Sequence, residues 1–429
     1  MRLPLFLILL LPPCAANAQP RTDSLLARIL RGNNDAVFRA VLSDPATYRL
    51  QVIYTQVNRD RRNKPHLVSY TFNLDPSLYF NPASTVKLPL ALLALEKLND
   101  MKKPGIDKHT TMRFDSSRPW QHPLDRDTTQ AEGHPSIAHF IKRAFLISEN
   151  DPYNRLYQFV GQGGIQRSLR EKGYGGVRIT RQFAGLTPEQ NRYTNPLRFE
   201  DASGSVIYRQ PEGYNADSFD LSRPILLGSA HLNAADSLIK APFDFTRHNN
   251  LPLASLQRML QSVIFPETVP KHDRFRLTPS DRSFLLQYLS QFPSETPDPK
   301  YDTSAFYDSY VKFFFRDATH HLPPGLRVFN KVGWSYGFLT DVSYVADFAN
   351  GVEFMLAATL YVNSDDILND GRYEYRTVGY PFLYQLGQTI WHYEKSRKRA
   401  HRPDLSAFRI GYEHRDPADQ RPALKDVDN

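Results

Sequence analysis

Segments that read as β-strands stand near the two ends of this chain, with a long helix-forming stretch between them. Near the start, Leu50–Thr55 and His66–Phe72 alternate apolar and polar residues around a charged turn at Asn58–Lys64, the pattern of a β-hairpin. Strand segments return only at Arg327–Val332, Phe338–Val345 and Val352–Tyr361. Between them, apolar spacing predicts helices at Leu88–Leu98, Ser136–Phe145 and Asp151–Val160. A centre rich in Pro, Asp and Asn carries shorter helical stretches at Pro224–Leu238, Leu253–Val263 and Pro279–Gln291, the last two with helix-start signals such as Thr278-Pro279-Ser280-Asp281. One or two helices over Thr22–Leu42 precede the hairpin, and a helix at Tyr380–Glu394 closes the pattern. The sheet must therefore be assembled from both ends of the chain. Its middle folds as helices against one face and its terminal helices cover the other, which is an α+β plan.

The first residues bear on compartment. Met1-Arg2, the apolar run Leu3–Leu11, Pro12-Pro13 and the small-residue stretch ending Ala16-Asn17-Ala18 read as a secretory signal cut before Gln19. The run is too short for a permanent membrane anchor. Leu11-Pro12-Pro13 before Cys14 does not make a lipobox. Cys14 is the only cysteine and would leave with the signal, so no disulfide, thiolate nucleophile or cysteine metal site is expected. Periplasmic or secreted localisation, no integral membrane span and a monomer are the corresponding expectations.

The formal charge of +8 is spread along the chain, with a local excess at Lys395, Arg397, Lys398, Arg399 and Arg402. That cluster reads as solvated sequence leading into a polar C-terminal tail over 401–429, not as a nucleic-acid site. A basic surface favours anionic small molecules or envelope material. His134, His320 and His321, or Asp365, Asp366 and Asp370, match no defensible metal-ligand spacing. Neither metal nor cofactor is expected.

Three short segments carry chemistry. Ser84-Thr85-Val86-Lys87 opens the apolar helix, and residues three apart share a helix face, so Lys87 can reach the Ser84 hydroxyl. A serine hydroxyl needs an adjacent base near neutral pH, and a buried lysine can serve. Ser84 as a simple helix cap is the plainer reading. Ser148-Glu149-Asn150 lies between two helices; its hydroxyl can pass a proton and its amide can hold a lysine and a substrate carbonyl, though such tripeptides are commonly turns. Lys331-Val332-Gly333, followed by Trp334, ends a strand. There a lysine offers charge to a carboxylate, and glycine admits a close backbone, unless Lys331 is only an edge-strand residue.

In that order, S-x-x-K, S-x-N and K-x-G resemble the motif set of penicillin-binding proteins and class A β-lactamases. The surroundings agree: Asn154 follows Asn150 by four residues, and Asp341 follows Lys331 where the next strand begins. The likeness covers about Asp23–Arg181 and Gly325–Glu394. It implies a β-lactamase-like antiparallel sheet between two helical layers, within a domain over 19–400 that carries a helical insert at about 185–310. It further implies Ser84 as acylated nucleophile, Lys87 as general base or relay, and Ser148 as proton shuttle. Asn150 would bind the substrate amide and Lys331 its carboxylate. Gly333 would give access for backbone pairing, and Trp334 N–H would complete an oxyanion hole. Glu149 stands where the family usually has aspartate, and Val332 lacks the usual hydroxyl. Phe183 occupies the expected place of the omega-loop glutamate that activates water for deacylation, which leaves Glu189 as the nearest candidate base.

The resemblance implies an exported serine hydrolase that hydrolyses or binds β-lactams through a Ser84 acyl-enzyme. A cell-wall peptide or ester hydrolase of D-Ala-D-Ala peptidase type is the alternative, and a non-catalytic envelope binding protein of the same fold is a third reading.

Overall fold

The computed structural model describes residues 21–427; the expected signal sequence lies outside them. The main sheet has five strands, β1 (Gln51–Arg59), β2 (Pro65–Phe72), β3 (Leu326–Ser335), β4 (Phe338–Asp347) and β5 (Val352–Tyr361), in the order β3-β4-β5-β1-β2. Every pairing is antiparallel. The join between the two ends of the chain is β1 on β5, with Gln51 opposite Thr359 and Gln56 opposite Phe354. Strands β4 and β5 are buried along their whole length because helices cover both faces.

On one face lie α1 (Ser24–Arg31), α2 (Ala36–Ser43) and, from the far end of the chain, α9 (Tyr380–Ser396). Leu26, Leu30, Phe38 and Val41 pack with Phe382, Leu386 and Ile390 over Val52, Tyr54, Val328 and Val332. The other face carries α3 (Lys87–Met101), α4 (Ile137–Leu146), α5 (Asn150–Val160), α6 (Gln162–Glu171), α7 (Leu253–Ile264) and α8 (Pro279–Ser290). Helix α3 is buried without a break from Lys87 to Glu96, as befits a helix apolar on nearly every side. Its neighbours start where the local chemistry dictates. Ser136 accepts from His139 N to cap α4, and Thr278 and Asp281 form a reciprocal capping box before α8. This is the α+β arrangement expected, with terminal helices and helical block on opposite faces.

Three expectations change. Pro224–Leu238 is not helical: Leu226–Leu227 pairs with Phe243–Asp244, and Ala230–Leu232 pairs with Leu238–Ile239 and, in parallel, with Ile367–Leu368. Gly228 there has φ +77°, and a Cβ on it would lie 2.9 Å from Asp366 O, so contact with a distant segment overrides the helical spacing. The insert is helical only over α7 and α8, while its first part is loops and short strands. Helix α6 was not expected, since Gly163 and Gly164 lower its local propensity. The polar segment 401–427 is largely exposed but anchored: Leu405 and Phe408 are buried, with Phe408 against Phe265, Phe329 and Tyr344. Arg397 and Arg399 of the basic cluster close on buried Glu394.

Candidate active site

The chain approaches α3 through a tight turn. Asn81 Oδ1 accepts from Ala83 N at 3.0 Å, and Thr85 donates to Pro82 O through both its hydroxyl (2.6 Å) and its amide (3.0 Å). Ala83 has φ +43°. The 3-10 turn Ala83–Val86 leads into α3, leaving Ser84 partly exposed and Lys87 fully buried one turn later. Lys87 Nζ donates to Ser84 Oγ at 2.9 Å and to Asn150 Oδ1 at 2.9 Å. It also contacts the carbonyl oxygen of Ser148, and lies 3.4 Å from that residue's hydroxyl.

Ser148 sits between α4 and α5 with φ +71°, a backbone conformation costly for a residue with a Cβ. That conformation turns its carbonyl to Lys87 and its hydroxyl to a second lysine: Lys331 Nζ donates to Ser148 Oγ at 2.8 Å. The residue between the two functional positions points elsewhere. Glu149 accepts from Arg143 Nε at 2.9 Å and from the Tyr301 hydroxyl at 2.6 Å, and Arg143 also holds Asp127 at 2.8 Å. This buried ion cluster fixes the Ser148–Asn150 turn, which is where the acidic residue of the motif acts.

Lys331 and Gly333 lie on the face of β3 toward the helical block, while Val332 packs into the opposite layer and is fully buried there. The missing hydroxyl at Val332 is thus a matter of core packing on this side of the sheet. Burial draws the Lys331 ammonium down to about 7, against a raising influence of Asp341 and with a lesser lowering by Lys312. Behind the strand, Lys312 Nζ donates to Asn330 Oδ1 at 2.7 Å and Asn330 Nδ2 to Asp341 Oδ1 at 2.9 Å. Burial pushes the Asp341 carboxyl up to about 7.

Gly333 was expected to admit a substrate backbone. Its bare Cα makes room for the protein's own turn: a Cβ would lie 2.5 Å from Pro82 O and 2.9 Å from the amide nitrogens of Ser84 and Thr85. Strand β3 is thereby drawn against the nucleophile turn. Residues Tyr336 (φ +51°) and Gly337 (φ +79°) form the two-residue turn between β3 and β4, with Ser335 opposite Phe338 as the closing pair. The antiparallel alternation then turns the main-chain N–H of Trp334 away from β4, toward the open edge of the sheet. The Trp334 ring faces away, among Phe313 and Tyr310.

Ser84, Ser148, Asn150 and Trp334 line one cavity of about 430 Å³, and Lys87 and Lys331 are bonded beneath its wall. Phe183 closes one side. Its ring stacks on Tyr153 at 4.5 Å and lies 5.3 Å from Lys87 Nζ, while Asn154 grips its backbone, accepting from its N–H at 2.8 Å and donating to its carbonyl at 3.2 Å. Glu189 is not brought to this cavity. It faces a neighbouring chamber, 62% exposed, and is 3.5 Å from Arg192. Sequence reading missed Arg181, His248 and Asn249, which complete the wall. The Asn249 side chain, which accepts from Thr180 N (2.8 Å) and Arg181 N (3.1 Å), and Thr180 Oγ1, which donates to Arg247 O at 2.8 Å, pin them beside Phe183, and no spacing rule announces those contacts. Among the described residues no group of His, Cys, Asp and Glu is arranged to hold a metal, and no helix is long and apolar enough to cross a membrane.

Residues 46–204 match the model of the beta-lactamase enzyme family. The matched stretch carries Ser84, Lys87, Ser148 and Asn150, and Lys331 lies beyond it. Solved structures similar to the chain include a beta-lactamase from Sphaerobacter thermophilus (13% identity, 82% of this chain and 94% of that one, TM-score 0.45). PBP-A (13% identity, 87% and 99%, TM-score 0.47) and a beta-lactamase from Streptosporangium roseum (14% identity, 85% and 99%, TM-score 0.46) are others. No curated protein sequence matches the chain.

Proposed function

We propose that the protein is an exported serine acyl-transfer enzyme that opens β-lactams, or cleaves a related amide, through an ester on Ser84. The observation that carries this reading is one hydrogen-bonded chain, Ser84 Oγ to Lys87 Nζ to Ser148 Oγ to Lys331 Nζ, at the wall of a cavity. Lys87 takes the Ser84 proton as Oγ attacks the carbonyl carbon. The N–H groups of Ser84 and Trp334 stabilise the oxyanion. Collapse breaks the C–N bond, and the leaving nitrogen receives a proton from Ser148 Oγ, which is resupplied by Lys87. Asn150 Nδ2 holds the substrate amide while its Oδ1 accepts from Lys87. Charged Lys331 attracts the substrate carboxylate. The signal-like sequence at 1–18 supports export.

Deacylation needs a base for water, and Phe183 presents an aromatic ring where the family's glutamate stands. With β-lactams the ester therefore persists. This favours penicillin binding over rapid β-lactam hydrolysis; with a cell-wall peptide or ester the leaving group departs, which frees Lys87 and Ser148 to activate the water that turns the enzyme over.

Incubation with a fluorescent penicillin, followed by intact-mass and peptide mapping, tests the reading. One stable adduct on Ser84 is expected, none on Ser84→Ala, and faster loss of the adduct from Phe183→Glu. A protein that acquires no adduct from any β-lactam and cleaves no muropeptide would not be an acyl-transfer enzyme.

A further inference from the structure

The Ser84 cavity is not isolated. A second chamber of about 620 Å³ adjoins it, and the two share Arg181 and His248 in their walls. The second chamber is bounded by the segment Leu186–Arg192 and by residues of the insert, Phe219, Leu221, Asp244 and Arg247. Neither Lys331 nor Lys87 lines it.

Arg181 at the junction has an unusual partner. Its Nη1 lies 2.9 Å from His248 Nε2, and no carboxylate of the described residues comes within ion-pair distance of it. Since a guanidinium can only donate, Nε2 accepts and the imidazole is neutral with its proton on Nδ1. Burial, then the adjacent Arg181 charge, push the His248 imidazolium down to about 3, so the ring stays uncharged across the working range of pH. A neutral acceptor orients the guanidinium without cancelling its charge. The ring is itself fixed in an aromatic cluster, 5.0 Å from Phe245, 5.5 Å from Phe243 and 6.0 Å from Tyr336. Of the chamber's other charges, Glu189 is 3.5 Å from Arg192 and Asp244 accepts from Thr246 N at 2.8 Å, while Arg247 adds a second cation to the same wall. Arg181 is left as an oriented cation facing the space a substrate enters.

We propose that Arg181, positioned by His248, binds an anionic group, most simply a carboxylate, on a part of the substrate distinct from the one Lys331 holds. The acyl donor then extends from Ser84 past the junction, and its apolar portion lies against Phe219 and Leu221. This rests on the acyl-transfer reading for its substrate, but the anion site is testable without it.

The matched probes are benzylpenicillin and carbenicillin, which differ by one carboxylate on the acyl side chain. Wild-type protein should be acylated by carbenicillin with about tenfold the efficiency shown toward benzylpenicillin, the gain of one charge-assisted pair. In Arg181→Gln the ratio should fall to about one, and Arg181→Lys should keep part of it. The same ratio should appear in equilibrium binding to Ser84→Ala by calorimetry. A wild-type ratio near one, or a ratio unchanged in a folded Arg181→Gln, overturns the proposal; the wild-type ratio needs no variant to fold. If Ser84 is never acylated, the acyl-transfer reading falls, and the Ser84→Ala binding ratio still decides the Arg181 site.

Discussion

Ser148 holds a left-handed backbone, φ +71°, at the point where its carbonyl meets one lysine and its hydroxyl another. Such strain persists only where surrounding contacts over-determine it, and here the Arg143–Glu149–Tyr301 cluster supplies them. Ser148→Gly should therefore melt higher, by up to about 1 kcal/mol of stability, while acylation slows by about 10²-fold for want of the hydroxyl. Thermal denaturation and acylation rates on one preparation separate the two effects. Lys331 gives a pH dependence. Its ammonium is drawn to about 7 by burial, so the charged form that attracts a carboxylate is lost as pH rises through about 7. Acylation by an anionic β-lactam should fall above that pH. Stability moves the other way: the unfolded lysine keeps its proton up to about 10.4, so the Lys331 contribution to folding improves between about 7 and that value. A KM that does not rise between pH 6 and 9 would remove Lys331 from carboxylate recognition.

Among the elements, the decisive contact is strand β3 against the turn that opens α3. Only a glycine at 333 lets Pro82 O, Ser84 N and Thr85 N approach the strand so closely. Gly333→Ala must push the two apart, costing about 1–3 kcal/mol and moving Trp334 N–H away from Ser84 N. Acylation should suffer more than binding, a lowered kcat with a modest change in KM. A variant that acylates at the wild-type rate would show that the two amides do not act together. The insert acts at the same scale. Its short strands are stitched to Ile367–Leu368, and Phe243, Phe245 and His248 are carried onto Tyr336 of the β3–β4 turn, which walls the cleft.

For the whole molecule, the ends of the chain hold each other. Strand β1 pairs with β5, α1 and α2 pack on α9, and the segment beyond 400 returns across the helical layer. There Glu413 accepts from Lys142 at 2.9 Å, Tyr288 at 3.0 Å and Gln291 at 2.7 Å, and Leu405 and Phe408 are buried. Ending the chain at residue 400 should cost about 3–6 kcal/mol from those two apolar side chains alone, and lower the melting temperature accordingly. An unchanged melting temperature would mean that the segment is merely laid on the surface.

The long strands, the apolar α3 and the capped starts of α4 and α8 were legible because they follow from local periodicity and capping chemistry. The order of the three motifs was legible too, and so were Ser84, Lys87, Ser148, Asn150 and Lys331 as the residues to bring together. The tertiary structure alone decided the rest. The short strands of the insert depend on Asp366, far away in sequence, and a local helical spacing cannot register that contact. Gly333 faces Pro82 and Ser84 and so serves the protein's own turn. Arg181 and His248 meet because residues 178–181 are bonded to 246–250, through the Asn249 side chain, the Arg178–Asn250 backbone pair and Thr180 Oγ1 on Arg247 O. Local composition dictates which elements form, but which side chains share a cavity depends on long-range packing and backbone bonds that no short window of sequence contains.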